Sequence, residues 1–181
     1  MDNKHHEQVE HPWSVPVVVA DLPDEGAHFE IAADETERAK VAKHAGLNAL
    51  PRLAATFDVV RRGGGVHVSG QVTAKAGQTC VVTLAPVESK IDEAVDLDYA
   101  PDIEAADVKT KGSGQISKKH AEPPEPLVDG VIDLGAVATE FLILGLDPYP
   151  RAPGATFDLP VEEEARPNPF AALESLKKPP Q

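Results

Sequence analysis

The feature that most constrains this chain is a stretch of period-two alternation on both sides of a glycine cluster. Leu53, Ala55, Phe57 and Val59 alternate with more polar neighbours, and Arg61-Arg62-Gly63-Gly64-Gly65 follows. Then Val66, Val68, Gly70, Val72 and Ala74 alternate with His67, Ser69, Gln71, Thr73 and Lys75. Successive side chains of a strand point to opposite faces, and glycine accepts turn backbone, so the spacing predicts a β-hairpin with one apolar face. Ala76-Gly77-Gln78 reads as a turn and residues 79–84, TCVVTL, as a third strand. Ile91, Val95, Leu97 and Tyr99 mark a fourth, with Asp92, Asp96 and Asp98 toward water. Such a sheet is antiparallel and covered on one side.

Two helices supply the cover. Asp34 and Glu37 have capping-box spacing, Arg38, Val41, Ala42 and Ala45 share one stripe, and Gly46 suits the stop, which predicts a helix over 34–46. Asp133 is placed to cap a second helix over 133–146, with Leu134, Val137, Phe141 and Leu144 at helical spacing. Glu140 is its only charge between Leu134 and Leu146, so it should be the more buried of the two. Residues 14–20 read as a short edge strand because of Pro16, and 21–33 as a turn into another extended piece. The fold class expected is α+β: an antiparallel sheet of about four to six strands, twisted or partly closed, packed by two helices.

The rest of the chain reads as looser. Residues 1–12 form a flexible N-terminus, 13–150 a single domain interrupted by a flexible loop at 101–126, and 151–181 a mostly disordered tail. Eleven of the seventeen prolines lie beyond residue 122, which is why order should thin there. Within the tail Asn168 suits a cap and Pro169 a first helical position. Phe170, Leu173 and Leu176 then line one side of a short helix over 169–178.

Chemistry-bearing groupings are scarce. The single cysteine excludes an internal disulfide and a cysteine-rich zinc site. RRGGGVHVSG lacks the lysine and hydroxyl of a phosphate-cradling loop. Cys80 would be a nucleophile only with a histidine beside it, and the alternation separates it from His67. His5, His6 and His11 belong to an acidic tail, while Asp129 and Asp133 read as a turn acid and a helix cap. No catalytic residue, metal or cofactor is expected. No apolar run approaches the roughly 20 residues of a bilayer span, and the polar, acidic N-terminus lacks the core of a secretory signal. A cytoplasmic monomer without membrane contact is expected.

The net charge is −13, yet from Arg38 to Lys75 seven basic residues face only Asp58. Arg52, Arg61 and Arg62 at the hairpin ends, with Lys118 and Lys119 on the loop, form the face expected to approach RNA. Overall acidity disfavours free nucleic acid and favours a basic protein partner. Phe170, Leu173 and Leu176 are expected to dock as an apolar anchor in a partner groove, the alternative being a tail folded back on the chain's own sheet.

Three segments carry a family resemblance: VHVSGQVTAKAGQTCVVTLAPVESKIDEAVDLDYAP, DGVIDLGAVATEFLILGLDPYP and NPFAALESLKK. In this order they resemble the YceD family, associated with accumulation of large-subunit (23S) ribosomal RNA. The family positions present are Cys80, Thr83, Asp133 and Leu134. Many members carry a second cysteine where this chain has Thr83, and often another after the helix, where it has none. A thiol knuckle therefore cannot form, and no structural zinc is expected. The resemblance implies a non-enzymatic accessory factor for large-subunit ribosomal RNA accumulation and ribosome biogenesis, acting on a ribosomal protein or pre-ribosomal particle. Two alternatives stay open: a small-molecule-binding or hydrolytic domain using the concave face of the sheet, and a chaperone-like adaptor for a basic ribosomal protein.

Overall fold

The computed structural model describes residues 11–101 and 124–157. The order is β1 (Pro16–Val18), a 3₁₀ turn (Val19–Asp21), β2 (Ala27–Ala32), α1 (Glu35–His44), β3 (Ala49–Arg62) and β4 (Gly65–Thr79). Then come β5 (Pro86–Pro101), β6 (Glu125–Leu127), β7 (Val131–Asp133) and α2 (Leu134–Leu144). Five strands form one open sheet in the order β2-β3-β4-β5-β6, and β1 pairs with β7 in a second, two-stranded sheet. All neighbours are antiparallel except β5 and β6, which run parallel over Tyr99–Pro101 and Glu125–Leu127.

The alternation selects the faces as expected. Leu53, Ala55, Phe57 and Val59 of β3 and Val66, Val68, Val72, Ala74 and Ala76 of β4 are buried, as are Ile91 and Val95 of β5. Gly70 lies opposite Phe57, and a Cβ there would sit 2.0 Å from the Thr56 carbonyl oxygen, so this pleat admits only glycine. Over this face α2 buries Leu134, Val137, Ala138 and Leu142, while α1 contributes Val41 and Ala42 beside β3.

Both caps form. The Asp34 carboxylate accepts from the Glu37 N–H at 2.8 Å and the Glu37 carboxylate from the Asp34 N–H at 2.7 Å. Asp133 does more. Its Oδ1 accepts from Gly135 N–H (3.0 Å), Ala136 N–H (3.1 Å) and Val15 N–H (2.8 Å), and its Oδ2 from the Ser14 hydroxyl (2.6 Å). One carboxylate thus caps α2 and fastens the segment leading into β1. A Cβ on Gly135 would sit 2.8 Å from the Trp13 carbonyl oxygen, so glycine permits this close approach. Trp13 is buried in the core.

Three expectations are corrected. Residues 79–84 do not form a strand: β4 runs unbroken through Ala76-Gly77-Gln78 to Thr79, and the chain turns over 80–85. The β-branched run favours a strand, but the register of β4 with Val87, Ser89 and Ile91 of β5 requires reversal here. Leu84 takes a left-handed φ of 60° to complete it. Leu144 is not buried but 69% exposed, and Leu142 takes the inward position. Within the expected loop, Glu125 and Pro126 belong to β6. At the expected domain end Pro150 is buried, its carbonyl accepting from Val81 N–H at 2.9 Å, and the described residues continue to 157. The candidate helix at 169–178 lies outside the described residues.

Replacing Asp133 with alanine leaves the α2 N–H groups and the Val15 amide without their acceptor. It should cost about 2–3 kcal/mol in denaturant unfolding, against under about 1 kcal/mol for Asp34→Ala on the exposed helix α1. Equal losses would show that Asp133 is an ordinary cap.

Candidate interaction surface

The helices cover one face of the sheet and leave the other to solvent. Register assigns that outer face row by row. Arg52 of β3, Lys75 of β4 and Lys90 of β5 lie directly abreast, at one end. Toward the other end the row His28, Asp58, Ser69 and Asp96 crosses four strands, with His67 and Asp98 abreast in the next. The surface is therefore electrically divided, with a cationic row at one end, where Glu88 lies 3.9 Å from Lys75, and a carboxylate-rich region at the other. His28 Nδ1 lies 2.7 Å from Asp58 and His67 Nδ1 2.9 Å from Asp98. The Asp58 hydrogen bond holds the His28 pKa above its ordinary 6.5.

The five basic residues expected on one RNA-facing surface are not assembled by the described part of the chain. Arg61 lies on the opposite side of β3 from Arg52 and Arg62, where its guanidinium donates to the Val19 and Ala20 carbonyls, each at 2.8 Å. It holds the 3₁₀ turn, and its odd position in the alternation already assigned it inward. Arg52 and Arg62 share the outer face but stand ten residues apart, roughly 33 Å along a strand. Arg62 sits 3.9 Å from Asp98, in the acidic end. Arg52 is instead joined by Lys75 and Lys90, a row that the strand register could have yielded but residue counting alone did not. Lys118, Lys119, Phe170, Leu173 and Leu176 lie outside the described residues.

The Cys80 turn has a defined geometry. Cys80 N–H donates to the Ala85 carbonyl (2.8 Å), and Leu84 N–H to the Cys80 carbonyl (3.0 Å). The buried sulfur accepts from Thr83 N–H at 3.4 Å and from Ala152 N–H at 3.3 Å. The Ala152 amide and then Thr83 lower the thiol pKa to about 6, against burial, which pushes it up. The sulfur thus joins the turn to the segment after α2 through amide donors. His67 stands thirteen positions back along β4, on the outer face, so the two form no nucleophile–base pair. The Thr83 hydroxyl oxygen accepts from Ala85 N–H at 3.4 Å. Among the described residues no three His, Cys, Asp or Glu side chains are grouped to hold a metal ion. Asp129 lies in a turn with φ 54° and Asp133 is committed to its cap, so they do not act as a pair. His11 borders a shallow apolar groove with Tyr99, Val131, Ala136 and Ile143, while His5 and His6 lie outside the described residues. Burial, then the carboxylates of Glu125 and Glu140, push Tyr99 up to about 12 and keep its phenol neutral.

The depression on the outer face, bounded by Glu30, Arg52, Thr56, Gln71 and Thr73, is wide open. An open depression of this kind leaves its polar groups in contact with water. No described helix is long and apolar enough to cross a membrane.

A protein-family model described as "Large ribosomal RNA subunit accumulation protein YceD" matches residues 68–177. No curated protein and no solved structure matches the chain.

Because the folded Cys80 thiol titrates near 6 against an ordinary 9, its contribution to stability is full above pH 9 and fades as pH falls toward 6. Between those values the melting temperature of the wild type should gain on that of Cys80→Ala as pH rises. Parallel curves would mean that the sulfur stays protonated throughout.

Proposed function

The chain belongs to the YceD family of large ribosomal RNA subunit accumulation proteins, and from that premise we propose that it supports large-subunit ribosomal RNA accumulation by binding rather than by catalysis. The partner is a ribosomal protein or ribonucleoprotein of the cytoplasm. The observation that carries the reading is the family match over residues 68–177, which includes β5, β7, α2 and most of β4. The outer face agrees with it. An open, polar, electrically divided sheet offers a large contact surface and no enclosure for a reaction. At net charge −13 a basic protein is attracted over a distance, whereas free RNA is repelled until a local cationic patch touches it. The Arg52–Lys75–Lys90 row is the described patch suited to that role within a ribonucleoprotein, and it keeps Arg52 of the expected basic residues.

Cells lacking the protein should show a fall in large-subunit ribosomal RNA relative to small-subunit RNA, restored by the wild-type chain. In affinity capture from lysate, a basic ribosomal protein should remain bound after ribonuclease treatment. The Arg52→Glu/Lys75→Glu/Lys90→Glu variant should fold normally and lose only the ribonuclease-sensitive share of the captured material. An unchanged RNA ratio in the deletion strain would refute the role, and complete release by ribonuclease would refute the protein partner.

A further inference from the structure

We infer that the edge of β5 turned away from β4, unpaired over Pro86–Asp98 among the described residues, is a docking lane for a basic, extended polypeptide segment that joins the sheet as an added strand. The inference rests on the proposed basic protein partner and names how it is held. β5 is paired with β4 from Pro86, opposite Thr79, to Tyr99, opposite Val66. On its other side β6 reaches only Tyr99–Pro101. Among the described residues no strand and no backbone hydrogen bond meets Pro86–Asp98 from that side.

The direction of the free groups follows from the end of the hairpin. Cys80 N–H donates to the Ala85 carbonyl, and the ladder beyond continues without a register shift. Antiparallel pairs alternate between bonded and non-bonded, so Glu88, Lys90, Asp92, Ala94, Asp96 and Asp98 aim N–H and C=O away from β4. Pro86 falls in the same set, at a position where a missing N–H costs the β4 ladder nothing. β6 demonstrates that this edge accepts a strand, because it pairs where the lane ends.

Charge selects the occupant. Between Pro86 and Asp98 there are five acidic residues and one basic residue, Lys90. Glu88 lies 3.9 Å from Lys75, and His67 and Arg62 meet Asp98, but Asp92 is bonded by the neutral Gln71 amide. An extended segment with lysine or arginine at alternate positions would set its cations among these carboxylates while its backbone completes the ladder. A second copy of β5 would oppose acid to acid, which disfavours self-pairing.

The experiment adds to the full-length chain an end-blocked peptide of alternating lysine and threonine, about ten residues long to match a strand. Hydrogen exchange should find the edge amides of 88–98 open in the free chain and slowed about tenfold or more with peptide bound. The same peptide with alternate amides N-methylated keeps its charge and loses its donors, and should bind about tenfold more weakly. Ala94→Pro removes an outward donor and spares the β4 ladder, so it should weaken peptide binding at an unchanged melting temperature. The lane is overturned if the methylated peptide binds equally, because charge alone then suffices. It is equally overturned if the edge amides are already protected in the free chain, because the chain's own residues then fill it. Loss of peptide binding with retained ribosomal-protein capture would sink the edge and spare the wider reading. Peptide binding without any such capture would do the reverse.

Discussion

The Asp133 carboxylate is the interaction on which the rest of the arrangement depends. A carboxylate offers about four acceptor sites, and here they meet two amides of α2, the Val15 amide and the Ser14 hydroxyl. Helix start, β1–β7 pairing and the buried Trp13 are therefore fixed relative to one another at a single point. With that point set, Leu134, Val137, Ala138 and Leu142 are delivered to the core-facing side of β3, β4 and β5. The opposite side of the sheet is left uncovered by the same choice. Which face of the sheet is left to solvent is thus decided by the residue that caps the helix, far from that face itself.

What the sequence revealed depended on whether a signal was local. Alternation has a period of two whatever the tertiary structure, so the inward positions of β3 and β4 were legible from residue order. Asp34 and Asp133 were legible because a cap acts within three residues. The turn at 80–85 was not, because Cys80–Leu84 carries strand-forming side chains and reverses only to satisfy the register of β5. β6 escaped because three residues with a proline and no alternation give no pattern, and its partner lies in β5, far back in the chain. The site followed the same rule. The basic residues were legible as a composition shift, but their grouping was set by cross-strand register, which puts Arg52 abreast of Lys75 and Lys90 and Arg61 on the other side of β3. The family resemblance, by contrast, was carried by ordered segments and did not depend on knowing which residues touch.

On the proposed function, the divided outer face would let an acidic protein serve a partner made of RNA and basic protein. Long-range attraction follows net charge, so the whole molecule draws in cations. Short-range contact follows local charge, and the row of Arg52, Lys75 and Lys90 offers phosphate a surface unlike the average. At the far end each histidine stands against the acids, His28 2.7 Å from Asp58 and His67 2.9 Å from Asp98 and 3.8 Å from Asp96.

An uncovered strand edge is ordinarily a hazard, because unpaired N–H and C=O groups template aggregation. Proteins blunt such edges with charge, and β5 does so with carboxylates rather than with the lysines commonly used. The choice of sign has a consequence. Lysines along the edge would protect against self-association and would also repel a basic partner, whereas carboxylates protect equally and attract it. The same side chains can therefore keep the free protein apart from its copies and leave its backbone open to one kind of strand. On the inferred docking, solubility and recognition would then be two effects of a single charge pattern on a strand that no other described strand pairs over Pro86–Asp98 on that side.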